Sequence, residues 1–111
     1  MDKSKQMLPL TEAFYYILVT LCGEPAHGYG MMQEVERMSG GRLKLGAGTL
    51  YTALNTLQGK GLIEPHPGAE GADARRKVYA ITGVGREVLA AEVGRLEELL
   101  VVGRLALNGG D

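Results

Sequence analysis

Between Arg37 and Ile63 the chain carries no aspartate or glutamate, and residues 45–63, LGAGTLYTALNTLQGKGLI, have the spacing of one helix with two unlike faces. At about 100° per residue Leu50, Ala53, Leu54 and Leu57 collect on one side, while Gly48, Thr52, Asn55, Thr56 and Gly59 face away and Tyr51 sits at the border. The first side is core. The second presents hydroxyls, an amide and a phenol without a carboxylate, a surface that can approach a polyanion. In a major groove Asn pairs bidentately with adenine and the Thr methyl touches the thymine methyl. Tyr51, Thr52 and Asn55, with Thr49 in the first turn, are therefore the candidate groove-facing side chains. Lys44 just before the helix, Lys60 just after it, and the run Arg75-Arg76-Lys77 supply cations that hold phosphates without reading sequence. That last run also reads as an ordinary solvated stretch, and only its place beside a return strand favours phosphate.

Positioning those groups requires a frame, and hydrophobic periodicity supplies one. Leu10, Phe14, Ile17, Leu18 and Leu21 predict a first helix that ends at Gly23-Glu24-Pro25. A second helix is predicted from Gly28 to Ser39, with Tyr29, Met32 and Val35 as its core stripe and Gly40-Gly41 as its stop. Gly46 is a tolerable N-cap for the third. Leu62–Glu64 reads as a short strand closed by Pro65, and Arg76–Ile81 as the return strand of a hairpin. Thr82 caps a last helix running to about Leu107. Three helices followed by a two-stranded hairpin is the winged helix-turn-helix plan, mainly α with a small β-hairpin, over residues 1–81; residues 82–111 form a C-terminal helix.

In that helix Leu89, Val93, Leu96, Leu100 and Leu107 step by four, three, four and seven, a heptad seam with Gly103 at the missing position. Val84, Val88, Leu99 and Val102 thicken the apolar side. One small core does not cover all of it, so homodimerisation through this helix is expected. The alternative is a helix that folds back and buries its stripe within one monomer.

The 111 residues bear a net charge of −1, which by itself does not announce a nucleic-acid binder. The distribution says more: residues 42–77 hold six basic and three acidic side chains, whereas each flank is acidic. Charges act over roughly 8 Å at physiological salt, so a local cationic segment can work on a mildly acidic protein. There is no nucleophile with a base and no pair of carboxylates suited to acid–base work. Gly46-Ala47-Gly48 lacks the third glycine and the preceding strand of a nucleotide loop. An enzyme is not expected, nor a cofactor. His66 is isolated and Cys22 is the sole cysteine, so neither a metal set nor a disulfide within the chain is expected. With no leader pattern and no apolar stretch of about 18 residues, the expected setting is the cytoplasm rather than a membrane.

The blocks LTEAFYYILVTL, HGYGMMQEVE, GTLYTALNTLQGKGLIE and RRKVYAITGVGRE together resemble consecutive segments of the PadR family of bacterial transcriptional regulators, over residues 10 to about 100. The resemblance implies a dimeric repressor that binds an inverted-repeat operator in double-stranded DNA, often relieved by a small aromatic or drug-like molecule. It also implies a first helix at the dimer interface, where Tyr15 or Tyr16 would stack on a planar effector or pack on the partner's last helix. Three features depart from the family. Asn55, Thr56 and Gly59 stand where a charge is usual, which leaves the groove face lightly charged, with affinity resting on Lys44, Lys60 and the wing or else weak. Thr82-Gly83-Val84-Gly85 lacks the proline often found there, implying a looser lead-in to the last helix. Gly94 and Gly103 either allow close helix approach or mark bends. A second function class stays open, a winged-helix module that grips another protein with the same surface and binds no specific DNA.

Overall fold

The computed structural model describes residues 7–66 and 77–109. Helix α1 (Glu12–Gly23) starts where the Thr11 hydroxyl oxygen accepts the Phe14 N–H at 3.1 Å, satisfying one of the donors a first turn leaves over. A two-residue strand, β1 (Ala26–His27), leads directly into α2 (Gly28–Met38). That helix stops at Gly40 and Gly41, whose φ values of 65° and 81° suit glycine, and the Gly41 N–H returns to the Glu36 carbonyl at 2.8 Å. Helix α3 (Ala47–Gly59), strands β2 (Ile63–Pro65) and β3 (Val78–Ile81), and helix α4 (Gly83–Leu107) complete the order.

The two-stranded hairpin expected from the sequence is a three-stranded antiparallel sheet, order β1-β3-β2, with Ala26 opposite Tyr79 and Ile63 opposite Ile81. Strand β1 is too short to leave a period in the sequence, yet it covers the edge of β3 that a bare hairpin would leave unpaired. The core lies between the sheet and the helices: Ile17, Leu18, Met31, Val35, Leu50, Leu54, Leu57 and Val88 are wholly buried.

The predicted stripe of α2 needs correction. Tyr29 is 64% exposed and Met32 only half-buried, while Gly28, Met31 and Val35 face inward. The two registers differ by about 100° of helix rotation, and the bare Gly28 lets α3 approach on the register that wins. Leu10 and Phe14, expected in the core of the first helix, are half-buried at its margin, and Leu10 precedes the helix.

The junction into α4 is tied rather than loose. The Thr82 N–H donates to the Leu62 carbonyl at 3.0 Å, its hydroxyl donates to the Gly61 carbonyl at 2.6 Å, and its oxygen accepts the Gly85 N–H at 3.0 Å. Gly85 packs so closely on the wing that a Cβ there would lie 2.2 Å from the Leu62 carbonyl oxygen. Contact distance at Gly85 fixes the start of the helix without a proline.

The first turns of α4 bury Gly85, Val88, Leu89 and Glu92, and the rest of its 25 residues project, giving the subunit a long dimension of 61 Å. Glu92 is only 2% exposed. Its carboxylate accepts the Leu10 N–H at 2.8 Å and the Arg95 guanidinium at 2.5 and 3.0 Å, so the buried charge is both paired and hydrogen-bonded. The Arg95 hydrogen bond holds its pKa below the ordinary carboxylate range against the opposing effect of burial, with the Leu10 N–H assisting. No helix among the described residues is long and apolar enough to cross a membrane.

Gly85→Ala is expected to cost about 3 kcal/mol by overpacking against backbone, lowering the thermal midpoint by roughly 10 °C or more. Gly83→Ala, in the same turn with nothing within 4 Å of the added carbon, should leave the melt unchanged or slightly raised. For Glu92 the depressed folded pKa means its stabilisation is complete above about 4.5 and is lost as pH falls through the lower folded value. Glu92→Gln should therefore cost about 1–2 kcal/mol in urea melts at pH 7, with the gap to wild type closing toward pH 3.

Candidate nucleic-acid interface

The outer face of α3 carries Gly48, Thr49, Thr52, Asn55 and Gln58, all exposed, and its opposite face buries Leu50, Ala53, Leu54 and Leu57 as the spacing predicts. Gly46 caps the helix without a side chain to accept its first N–H groups, which leaves the positive end of the helix open beside the exposed Lys44. Lys60 is the C-cap at the other end, roughly 20 Å away along a 13-residue helix. Thr56 is a partial exception to the predicted face. It is half-buried, and its hydroxyl donates to the Thr52 carbonyl at 3.1 Å, so it offers little to a partner.

Tyr51 lies at the border as expected, and its ring leans over the start of α2: the position a Cβ of Gly28 would occupy is 3.0 Å from the Tyr51 hydroxyl. Beside it is Tyr79 on the central strand, 4% exposed, whose pKa is raised by burial and, secondarily, by Tyr51. The Lys77 ammonium sits 5.9 Å from the Tyr79 ring centroid, a cation–π arrangement that holds a wing cation near α3. His27 joins this corner as the N-cap of α2. Its Nδ1 accepts the Gly30 N–H at 3.2 Å, satisfying one of the donors left over by the first turn. The capping role of His27, the buried Tyr79 and the close approach at Gly28 are the parts of this corner that spacing alone did not assign. The only sequence signal for them is the adjacency of His27 and Gly28 at a helix start.

Unpaired cations on this side are few. Among the described residues none of Lys44, Lys60 and Lys77 takes part in an ion pair. Arg42 does: its guanidinium is held by the Glu12 carboxylate, which raises the pKa of the one and lowers that of the other, so this cation of the basic middle is neutralised. Arg75 and Arg76 lie outside the described residues.

Tyr15 and Tyr16 are half-buried and meet edge to face, with centroids 6.1 Å apart and planes at 83°. The Tyr16 hydroxyl accepts weakly from Arg42 at 3.5 Å, which draws it toward the turn after α2. Along the predicted seam Leu89 is buried in the subunit's own core at 8% exposure, while Val93, Leu96, Leu100 and Leu107 rise from 37% through 40% and 52% to 88%. Among the described residues no three His, Cys, Asp or Glu side chains are grouped to hold a metal.

Residues 17–91 match the family model described as the transcriptional regulator PadR-like family. An uncharacterized 37.1 kDa protein in a transposon of Streptomyces fradiae is 34% identical over 88 residues, 79% of this chain and 24% of that protein. The chain thus spans about a quarter of that relative's length. Among solved structures, RosR of H. salinarum is 32% identical with a TM-score of 0.62, the match covering 86% of this chain and 78% of that one. A PadR family transcription regulator from Clostridium difficile is 24% identical with a TM-score of 0.66, covering 87% and 97%.

Proposed function

The chain belongs to the transcriptional regulator PadR-like family, and on that premise we propose that it is a homodimeric repressor of a short inverted-repeat operator, released from DNA by a small planar aromatic or drug-like molecule. The observation that carries the reading is the exposed, carboxylate-free face of α3, with Thr49, Thr52 and Asn55 between Lys44 and Lys60 and with Lys77 beside it. Asn55 is the base reader, offering an amide to adenine. Tyr51, Lys44, Lys60 and Lys77, together with Arg75 and Arg76 immediately before Lys77 in sequence, hold the backbone. Solvent-open Val93, Leu96, Leu100 and Leu107 support pairing through α4, since a projecting apolar stripe of that length is costly in water. Tyr15 and Tyr16, an edge-to-face aromatic pair on the first helix, are the proposed platform for the effector.

The light charge of α3 also favours a second reading, a winged-helix module that grips another protein through the same surface. Salt separates the two. Binding to phosphate releases counterions and falls steeply as salt rises, whereas a contact between two lightly charged protein surfaces does not.

Fluorescence anisotropy with promoter fragments, including the one upstream of its own gene, should give a clear preference over random DNA at physiological salt; equal binding to both would remove the operator reading. Lys44→Ala with Lys77→Ala should weaken all sequences alike and reduce the slope of log affinity on log salt by about 2, whereas Asn55→Ala should relax choice at one base pair by about 1–3 kcal/mol. Leu96→Glu should give monomers in sedimentation and lose operator binding, because half-sites about 34 Å apart need both subunits. A dimer persisting in that variant would refute the seam.

A further inference from the structure

Gly28 occupies the first position of α2 and is buried. Its φ is not in the left-handed region that would call for glycine, and at a helix start alanine would be the better residue by propensity. What calls for glycine is space. A Cβ built there lies 3.0 Å from the Tyr51 hydroxyl oxygen, 3.2 Å from Leu50 Cδ2 and 3.3 Å from Tyr51 Cζ, tighter than side chains normally tolerate. Gly30, two residues further along the same helix, shows the contrast: the nearest atoms to a Cβ there belong to the His27 ring, at 3.5 Å and beyond, an ordinary contact.

We propose that Gly28 is a positioning residue for DNA binding, its missing side chain being the slot in which the Tyr51 phenol lies so that its hydroxyl reaches the DNA backbone. This rests on the reading of Tyr51 as a backbone contact. The groups around the slot are held in place. Leu50, next to Tyr51 on α3, is wholly buried and fixes where α3 crosses the start of α2. Tyr79 on the central strand pairs with Ala26, two residues before Gly28, and so fixes the sheet against the start of α2. His27, immediately before the slot, is locked by its bond to the Gly30 N–H. Leu50 is held in the core, so an added methyl is accommodated by displacing the half-buried phenol, whose hydroxyl and Cζ are among the nearest atoms. A displacement of a few tenths of an ångström leaves the fold intact but misaligns a hydroxyl whose hydrogen bond to a phosphate oxygen requires a heavy-atom distance near 2.7 Å.

The test is a double-mutant cycle on the full chain, with anisotropy on the operator and thermal melting in parallel. Gly28→Ala should keep or raise the melting temperature yet weaken operator binding by about 3- to 10-fold, and Gly28→Val should weaken it further. Gly30→Ala should bind within about 2-fold of wild type. In a Tyr51→Phe background, where the atom nearest the slot is gone, Gly28→Ala should cost less than about 2-fold. The Tyr51 ring resonances should shift in Gly28→Ala and stay in place in Gly30→Ala, a readout that needs no DNA. If the loss in Gly28→Ala persists undiminished with Tyr51→Phe, or if Gly28→Ala binds like wild type while Tyr51→Phe is weakened, Gly28 does not act through Tyr51 and the inference is overturned alone. If Tyr51→Phe itself binds as wild type with an unchanged salt slope, the backbone role of Tyr51 fails, and the inference falls with it.

Discussion

Helix α3 can hold a polar face toward a partner only as firmly as it buries the opposite one. Leu50, Leu54 and Leu57 are inaccessible to solvent and Ala53 nearly so, each leucine contributing about 1.5–3 kcal/mol of burial. They are gripped from different directions: α1 and α2 pack on the helix, and β2 follows so closely that the Leu62 N–H donates to the Leu57 carbonyl at 3.0 Å. The wing therefore starts from the last turn of α3 rather than from a free linker. Whatever α3 touches, the base of the wing is placed relative to it by the same core.

The second constraint is the seating of α4. Its first turns belong to the core and its later turns to solvent, so one rigid element joins the helix-and-wing core to the proposed pairing surface. Two contacts set its direction, the close approach at Gly85 and the carboxylate of Glu92. Glu92 is informative because it is the buried charge of this junction, and burial of a carboxylate is tolerated only where it is paired and both oxygens find donors. Here those donors come from Arg95 on the same helix and from Leu10 ahead of α1, so a single side chain locks the start of the chain to the last helix. In the proposed dimer, the separation of the two copies of α3 is then set by the angle at which α4 leaves the wing.

The helices were legible because each carries a periodic apolar stripe and most carry a recognisable cap or stop: Gly40-Gly41, Gly46 and Thr82 act where composition placed them, whereas the Thr11 cap was not assigned from the sequence. The inward face of α3 was legible in full, since its leucines form one unambiguous stripe. That of α2 was not, because Met31 and Met32 give two adjacent registers of similar hydrophobicity, and the choice between them depends on the close approach at Gly28, which is a tertiary fact. Strand β1 was invisible for a related reason: two residues have no period, and they become a strand only because β3 offers an open edge. Glu92 reads in the sequence as a solvated helix residue, and nothing short of the path of the chain before α1 reveals the N–H that awaits it. Among the candidate contacts, exposure of Lys44, Thr49, Thr52, Asn55 and Lys60 follows directly from helix geometry. The grouping of Tyr51 with Tyr79 and Lys77 depends on sheet register.

The sparse charge of the interface has a consequence for how this protein would discriminate. Non-specific affinity for DNA comes almost wholly from cations that release counterions, and each neutralised phosphate adds to binding at every site in a genome alike. Arg42 is withdrawn from that sum by Glu12, and among the described residues the cations left on this side are Lys44, Lys60 and Lys77. A surface with few such contacts binds random sequence weakly, so a larger share of its operator affinity must come from groups that distinguish bases, here the amide of Asn55 and the hydroxyls and methyls of Thr49 and Thr52. Geometry then matters more than charge, because a hydrogen bond to a base edge fails within a few tenths of an ångström whereas a Coulombic attraction fades gradually with distance. A helix locked by four buried side chains, a seat at Gly28 for its border tyrosine and a wing tied to its last turn form the kind of frame that such recognition would demand.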